Sequence, residues 1–231
     1  MKNMHSLVCA AVLLAPCGAA MAQQYFVRVG GAHISPNSTA TDAVGPMVPP
    51  PPSGIGMKVQ SASTLFVSVA RAINDNLEVE FAGGYPPTHA STADLAPHLP
   101  AHVLAYQGLT LAKVRQIAPT VFLNYKFGAP TDRWRPSVGI GINYTNFEKR
   151  TSTVAGNALN GGPTHISMSD SWCLAAQVGL SYRIDERWTI HGGLTTARVK
   201  TRLTATTAGV ARTMDIRFRP AVFTLTAGYA F

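Results

Sequence analysis

The last eleven residues carry the pattern that most constrains how this chain folds. Between Ala221 and Phe231 two alternating sets appear, Phe223, Leu225, Ala227, Tyr229 and Phe231 on one parity and Thr224, Thr226, Gly228 and Ala230 on the other. Because side chains alternate across a strand, this segment is predicted to be a strand with one apolar face and one small or polar face. An apolar face that ends on an aromatic residue is typical of the closing strand of a bacterial outer-membrane barrel.

The N-terminus predicts export. Met1 to Ala22 has the features of a secretory signal: a positive charge at Lys2, a short apolar run over 7–15, and the small-x-small cleavage site Ala20-Met21-Ala22. Cys17 leaves a lipoprotein signal as an alternative, which the proline directly before it disfavours. We therefore predict a cleaved signal peptide over 1–22 and a single barrel domain over 23–231.

The composition narrows the class of protein. The chain is 46% hydrophobic and only 13% charged, whereas about 25% charged is usual for soluble domains. No segment after the signal has about 18 uninterrupted apolar residues, which excludes a helical membrane protein.

The mature chain keeps one cysteine, Cys173, which we interpret as a small buried hydrophobe. For an exported chain with a net charge of +8, the favoured anionic partner is lipopolysaccharide phosphate rather than nucleic acid, with a merely soluble loop surface as the alternative.

Seven further alternating segments precede the C-terminal strand. In each segment the apolar residues occupy alternate positions: Tyr25-Val27-Val29, Leu65-Val67-Val69, Leu77-Val79-Phe81, Val121-Leu123-Tyr125-Phe127, Val138-Ile140-Ile142-Tyr144, Val178-Leu180-Tyr182, and Trp188-Ile190 with Leu194. Short connections rich in turn residues (72–76, 128–135 and 183–187) alternate with long ones (36–57, 86–110, 148–169 and 200–213). Eight strands joined alternately by four long and three short connections predict an all-β fold. The expected architecture is an eight-stranded antiparallel up-and-down transmembrane β-barrel with short periplasmic turns and four long extracellular loops. Closing the barrel leaves no edge strand, so no backbone N–H or C=O group is left without a hydrogen-bond partner in the hydrocarbon core.

The opposite parity should face the barrel interior. Its polar members are Arg28, Glu78, Glu80, Asn124, Asn143, Gln177 and His191. Because eight strands enclose little more room than side chains fill, we interpret this set as a packed polar lumen in which Arg28 pairs with Glu78 or Glu80; a proton or ion pathway is the alternative. The inward aromatics Phe26, Phe66 and Phe122 would either line a path for an apolar solute or fill the core.

The chain resembles the OmpW family of small outer-membrane proteins. The resemblance rests on segments in family order: Asn74 to Glu80, Pro119-Thr120 leading into Tyr125-Lys126-Phe127, Arg135 to Phe147, Ser171-Trp172, Gln177-Val178-Gly179, and Ala227 to Phe231. It implies a bacterial outer-membrane barrel with a narrow hydrophobic channel, associated with passage of small apolar molecules, and a constriction near Ala82 and Trp172. Cys173 stands where the family has Gly, and Ala82 where it usually has a bulkier apolar residue. The first loop is lengthened by Pro49 to Pro52.

Two expectations conflict at Trp172. The resemblance points its side chain into the channel, whereas alternation from Val178 and Leu180 gives it the lipid-facing parity. A one-residue bulge within 173–176 would reconcile the two, because bulges re-aim side chains.

The functional expectation is passive passage of small hydrophobic molecules through this lumen. The competing class is a filled structural barrel whose loops bind lipopolysaccharide, a phage or a host surface. We expect no catalysis, cofactor or metal, since prolines interrupt the His89, His98 and His102 region and no nucleophile–base pair is evident. The strand ending at Phe231 should be recognised by the barrel assembly machinery.

Overall fold

The computed structural model describes residues 25–48 and 50–231. The predicted signal peptide lies outside these residues. In chain order the described elements are β1 (Tyr25–Ser35), β2 (Ser38–Ala40), β3 (Ile55–Val59), β4 (Ala62–Ala72), β5 (Leu77–Gly84), β6 (Thr88–Leu95), α1 (Ala101–Leu104), β7 (Thr110–Ile117), β8 (Thr120–Lys126), β9 (Trp134–Ser152), α2 (Val154–Asn160), β10 (Thr164–Met168), β11 (Ser171–Arg183), β12 (Trp188–Ala197), β13 (Val199–Thr207), β14 (Val210–Phe218) and β15 (Ala221–Ala230).

Eight of these strands close into a barrel. Around the barrel the order is β1, β4, β5, β8, β9, β11, β12 and β15, with every neighbouring pair antiparallel. The pairing of β15 with β1, from Phe26↔Ala230 to Ser35↔Ala221, completes the ring. The predicted fold class is therefore confirmed.

The short connections are held by side chains that hydrogen-bond the turn backbone. In the β4–β5 turn, Asn74 Oδ1 accepts from the backbone N–H groups of Asn76 at 2.9 Å and Leu77 at 2.8 Å. In the β11–β12 turn, Asp185 Oδ1 accepts from Arg187 N–H at 2.8 Å and Trp188 N–H at 2.7 Å. Asn and Asp stabilise tight turns by this chemistry, so the short turns follow directly from the local sequence.

Aromatic side chains mark the two membrane interfaces on the outer face. Near the turns lie the contacting rings Trp134 and Tyr182, and at the opposite end Tyr144 contacts Trp172 with ring centroids 4.7 Å apart. Trp134 and Tyr144 are ten residues apart on β9, which is about 33 Å of strand and about 25 Å of height at the usual barrel tilt. That height matches the apolar band of a transmembrane barrel.

The long loops differ from the sequence expectation, because much of their length is strand. β3, β6 and β7 extend the sheet from the upper end of β9, and β10, β13, β14 and β2 form a separate four-stranded sheet. The cause is alternation within the loops: Val199 and Leu203 are buried beside outward Lys200 and Arg202. Buried apolar side chains from both sheets extend the barrel core beyond the membrane. Among the described residues, no helix has the length and apolar character that a membrane crossing requires.

Candidate functional site

The turn-side half of the barrel interior is occupied by buried charges. Arg28 on β1 donates from Nη1 to Glu80 Oε1 at 2.9 Å and from Nη2 to both carboxylate oxygens of Glu78 at 2.8 Å. Each of the three residues is at most 3% exposed. The predicted pairing of Arg28 with Glu78 or Glu80 is thus present in the structure with both partners.

Neutral amides and a lysine complete this network. Asn124 Nδ2 donates to Glu80 Oε2 at 2.8 Å, and Gln177 Nε2 donates to Glu80 Oε2 at 3.0 Å and to Asn124 Oδ1 at 2.6 Å. Lys126 forms a short ion pair with Glu78. Two cations therefore face two carboxylates, and each of these buried groups has a hydrogen-bonded partner, which is the condition under which buried charges are tolerated. We call the set Arg28, Glu78, Glu80, Asn124, Lys126 and Gln177 the charged floor.

Sequence reasoning missed Lys126 as a member of the charged floor. Lys126 lies between Tyr125 and Phe127, which face outward, so alternation along β8 predicts that its side chain faces the lumen. Lys126 Nζ also lies 4.5 Å from the centroid of the Phe26 ring, and the Arg28 guanidinium carbon lies 5.7 Å from it. Phe26 therefore packs against the cations of the charged floor and does not line the cavity above. Filling the core, the second of the two expectations for Phe26, agrees with this packing.

Above the charged floor the lumen holds a cavity of about 140 Å³. Its wall includes Phe66, Ala82, Phe122, Ala175 and Ala197, and Glu80, Gln177 and His191 form its lower boundary. We call this space the upper cavity. Phe66, Ala82 and Phe122 thus have the inward parity that the sequence predicts, and they border this cavity. An apolar cavity of about this volume can hold a benzene-sized molecule.

The remaining predicted polar residues lie around the upper cavity and not in the ionic network. Asn143 is buried in its wall, donating from Nδ2 to Thr120 Oγ1 at 2.8 Å and accepting from Thr145 Oγ1 at 2.7 Å. His191 Nδ1 lies 2.9 Å from Ser181 Oγ. Both side chains are therefore held by neutral partners, and Glu80 is the one Asp, Glu, Lys or Arg side chain among the residues that line the cavity.

The barrel wall is interrupted beside the upper cavity. β5 and β8 are paired from Leu77↔Tyr125 to Ala82↔Thr120. Farther from the turns, the next described backbone hydrogen bond between the two sides of this seam joins Gln116 N–H to Pro87 O at 3.0 Å. We call the stretch between them, residues 83–86 against 117–119, the wall gap. Its cause lies in the sequence, because prolines at positions 86, 87 and 119 have no N–H to donate to a ladder.

Small residues and open space characterise the wall gap. Gly83, Pro86 and Ala118 all border the upper cavity. A Cβ built on Gly83 would have no atom within 4 Å, so the space beside it is open. The upper cavity therefore borders the wall gap, at the level where the outer face still carries apolar side chains such as Phe81, which is 55% exposed.

Trp172 does not line the channel, and that expectation is wrong. Its side chain is 73% exposed on the outer face. β11 pairs with β9 without a register shift from Ser171↔Thr145 to Tyr182↔Trp134, so the bulge that would turn it inward is absent from this strand pair. The lipid-facing reading from alternation is the correct one, and Tyr144 packs against the ring from the next strand.

Known proteins resemble this chain in sequence and in fold. A model of the OmpW family matches residues 22–231. The chain belongs to the OmpW family. Outer membrane protein W of Vibrio cholerae is 27% identical over 224 residues, which cover 97% of this chain and 96% of the relative. Outer membrane protein AlkL of Ectopseudomonas oleovorans is 23% identical over 178 residues, covering 76% of this chain and 69% of the relative.

Solved structures agree on the fold. The crystal structure of the outer membrane protein OprG from Pseudomonas aeruginosa superposes with a TM-score of 0.77 at 22% identity, covering 90% of this chain and 95% of that one. The NMR structure of Escherichia coli outer membrane protein W gives a TM-score of 0.55 at 26% identity, covering 92% of this chain and 100% of that one. The protein is therefore an integral β-barrel of the bacterial outer membrane.

Proposed function

We propose that this OmpW-family barrel passes small hydrophobic molecules from the cell surface into the upper cavity and releases them through the wall gap into the membrane. The transport is passive. The observation that carries the proposal is the combination of an apolar cavity, a charged floor below it and an interrupted wall beside it.

The charged floor argues against an axial route. An apolar solute moving toward the turns would have to separate Arg28 from Glu78 and Glu80, leaving charges buried without partners. Removing one partner from a buried pair costs about 3–5 kcal/mol, and a solute without polar groups replaces none of the lost hydrogen bonds. An axial path through this half is therefore unfavourable for the solute class that the cavity suits.

The wall gap supplies a route with a smaller desolvation cost. A solute in the upper cavity is in contact with Phe66, Ala82 and Phe122 and passes Gly83 to reach the acyl chains. Both environments are apolar, so the transfer exchanges one set of dispersion contacts for another. No conformational change of the charged floor is needed.

A bulky side chain at the wall gap tests this route. Gly83→Phe adds a ring where a Cβ meets no atom, so the substitution is expected to fold and to obstruct the opening. Gly31 is a matched control, because it lies on the outward parity of β1 and a Cβ there also meets no atom within 4 Å. The two variants therefore add the same ring to the same lipid-facing surface at different places.

The assay is entry of an apolar fluorescent dye into cells with intact lipopolysaccharide that lack their own OmpW-family protein. Surface amounts of folded barrel are matched by heat-modifiability on gels. We expect the chain to accelerate dye entry, Gly83→Phe to remove most of the acceleration, and Gly31→Phe to retain it. Equal acceleration by the chain and by Gly83→Phe would refute release through the wall gap, and no acceleration by the chain itself would refute the channel.

A further inference from the structure

The outward face of β12 and β13, beside β15 and β14, changes from apolar to cationic as it leaves the membrane. The first outward pair is Leu194↔Phe223, followed by Thr196↔Ala221. Two positions beyond lie Arg198 and Arg219, both exposed, and then the directly opposed pair Lys200↔Arg217. Along this outward face, the side chains thus change from apolar to neutral and then to cationic with increasing distance from the bilayer centre.

The hydrogen bonding of Lys200 fixes its height. Its backbone N–H donates to Ser171 Oγ at 3.2 Å, and Ser171 is the residue next to the interfacial Trp172. The side chain of Lys200 therefore projects at the level just outside the aromatic belt. Headgroup phosphates occupy that level of the outer leaflet, because aromatic belts lie at the boundary between headgroups and chains.

In the part of the chain that the structure describes, the four cations are not neutralised by carboxylates. Within residues 25–48 and 50–231, no ion pair joins Arg198, Lys200, Arg217 or Arg219 to an acidic side chain. Like charges placed directly opposite each other on two strands are destabilising, so Lys200↔Arg217 carries a cost in the isolated chain. An external anion between them would remove it.

The nearby acidic groups are already engaged. Asp215 accepts from Arg202 Nε at 2.7 Å and Nη2 at 3.1 Å. That hydrogen bonding, together with the charge of Arg217, holds the pKa of the Asp215 carboxyl below its ordinary value. Asp170 accepts from Tyr144 Oη at 2.6 Å and Asn146 Nδ2 at 2.8 Å. Neither carboxylate bridges the four cations.

We propose that Arg198, Lys200, Arg217 and Arg219 form a docking site for the phosphate groups of the lipid A portion of lipopolysaccharide. Its acyl chains lie along the apolar pair Leu194 and Phe223 below, and its phosphates lie between the cations above. We call these four residues the cationic face. The site does not depend on the lumen, so it holds whether or not the barrel conducts apolar solutes.

The test measures binding of labelled lipid A to the immobilised, folded full-length mature protein in a zwitterionic detergent. The changed variant is Lys200→Gln with Arg217→Gln. The control variant is Lys58→Gln with Arg133→Gln, which removes the same charge from an outer loop strand and from a periplasmic turn, where both residues are exposed. Each protein is titrated with bisphosphorylated lipid A and with lipid A whose phosphates have been removed.

We expect the Lys200/Arg217 variant to bind bisphosphorylated lipid A about 25-fold more weakly than the parent, since each Lys or Arg at an anionic lipid surface contributes about fivefold. The control variant should bind it as the parent does, and dephosphorylated lipid A should not distinguish the three. The advantage of the parent should shrink as salt is raised.

A second variant keeps the proposal falsifiable if the first folds poorly. Asp215→Asn removes the one carboxylate that neutralises Arg202 beside the cationic face, so binding of bisphosphorylated lipid A should tighten. Unchanged or weaker binding by Asp215→Asn would overturn the proposal. So would an equal loss in the control variant, no loss in the Lys200/Arg217 variant, or displacement of lipid A by millimolar inorganic phosphate, which would indicate a site for the free anion.

Discussion

The two halves of the barrel interior are built from the same strands but closed in different ways. The turn-side half is filled by the charged floor, in which Arg28, Glu78 and Glu80 are almost completely buried and hydrogen-bonded to one another. The loop-side half is lined by Phe66, Ala82 and Phe122 and leaves a cavity of about 140 Å³. One half is dense and polar, and the other is apolar and incompletely filled.

This difference separates the part of the barrel that braces the fold from the part that the proposed transport would use. The charged floor ties β1, β5, β8 and β11 together by side chains across the lumen. That cross-bracing leaves the loop-side half free to carry a cavity and an interrupted wall. The stability and the proposed transport therefore depend on different residues, and variants can separate them.

The largest expected effect is on the charged floor. Arg28→Leu leaves the carboxylates of Glu78 and Glu80 buried with Lys126 as their remaining cation. We expect a loss of about 3–5 kcal/mol of unfolding free energy, since removing one member of a buried ion pair strands the other. Urea titration of the barrel in phospholipid bilayers measures it. A loss as small as that of a neutral lumen substitution would mean that the charged floor is not a structural brace.

The next prediction contrasts an unpaired charge on the lipid side with the paired charges inside. Ile140 pairs with Leu123 on β8, one residue from the Gly139↔Asn124 pair of the charged floor, but its side chain is 70% exposed to the membrane. Ile140→Arg should cost about 2–4 kcal/mol at this depth, whereas Thr196→Arg near the headgroups should cost about 0–1 kcal/mol. The same bilayer titration compares them. Similar losses for both would place Ile140 away from the bilayer centre.

A smaller effect compares added volume in the two halves. A Cβ on Gly139 would lie 2.1 Å from Asn124 Oδ1 and 3.0 Å from Gln177 Cγ, so Gly139→Ala must displace the charged floor. We expect a loss of about 1–3 kcal/mol for this one carbon, and less than about 1 kcal/mol for the three carbons of Ala82→Leu, because Ala82 borders the upper cavity. Ala82→Leu should nevertheless slow dye entry. The reverse order of destabilisation would show that the upper half is the tighter one.

The smallest expected effect is a pH dependence confined to the loops. Burial lowers the pKa of His89 on β6, whose Nδ1 hydrogen-bonds Gln60 O at 2.9 Å. Since the folded loop favours neutral His89, this contribution is complete at neutral pH and is lost as the pH falls below the unfolded pKa of about 6.5 toward the lowered value. Hydrogen exchange in β6 should therefore quicken between pH 7 and pH 5 while β5 and β8 stay protected. Substituting Phe for His89 should remove the pH dependence, and a change of equal size in the barrel strands would contradict its assignment to this residue.

Much of the barrel could be predicted from the sequence because each strand has one face in lipid. Alternation through Val138, Ile140 and Ile142 placed Gly139 and Gly141 inward, and the parity of β5 placed Glu78 and Glu80 opposite Arg28. At Trp172 the family resemblance and this parity make opposite predictions. Local alternation was the stronger physical argument, since a change of face requires a bulge that β11 does not contain.

The candidate site was less predictable, because the wall gap is defined by hydrogen bonds that are missing between β5 and β8. Inward parity identifies Phe26 and Phe66 alike, and only the packing of Phe26 against Lys126 distinguishes the filled half from the cavity. The wall gap follows from prolines 86, 87 and 119 meeting across one seam, and a sequence does not show which two segments face each other. The sequence does not predict the loop sheets, because the alternation in β13 and β14 lies within a segment whose length fits an irregular connection between two barrel strands.

The most direct test of the account locates an apolar molecule inside the protein. A photoactivatable alkane is added to outer-membrane vesicles carrying the barrel, irradiated, and its adducts are mapped by peptide sequencing. We expect adducts at Phe66, Ala82, Gly83 and Tyr85, which border the upper cavity and the wall gap, and none at Phe26 or Lys126 on the far side of the charged floor. Adducts at Phe26 and Lys126 would mean that the solute crosses the charged floor, and the separation of the barrel into a closed half and a conducting half would be wrong.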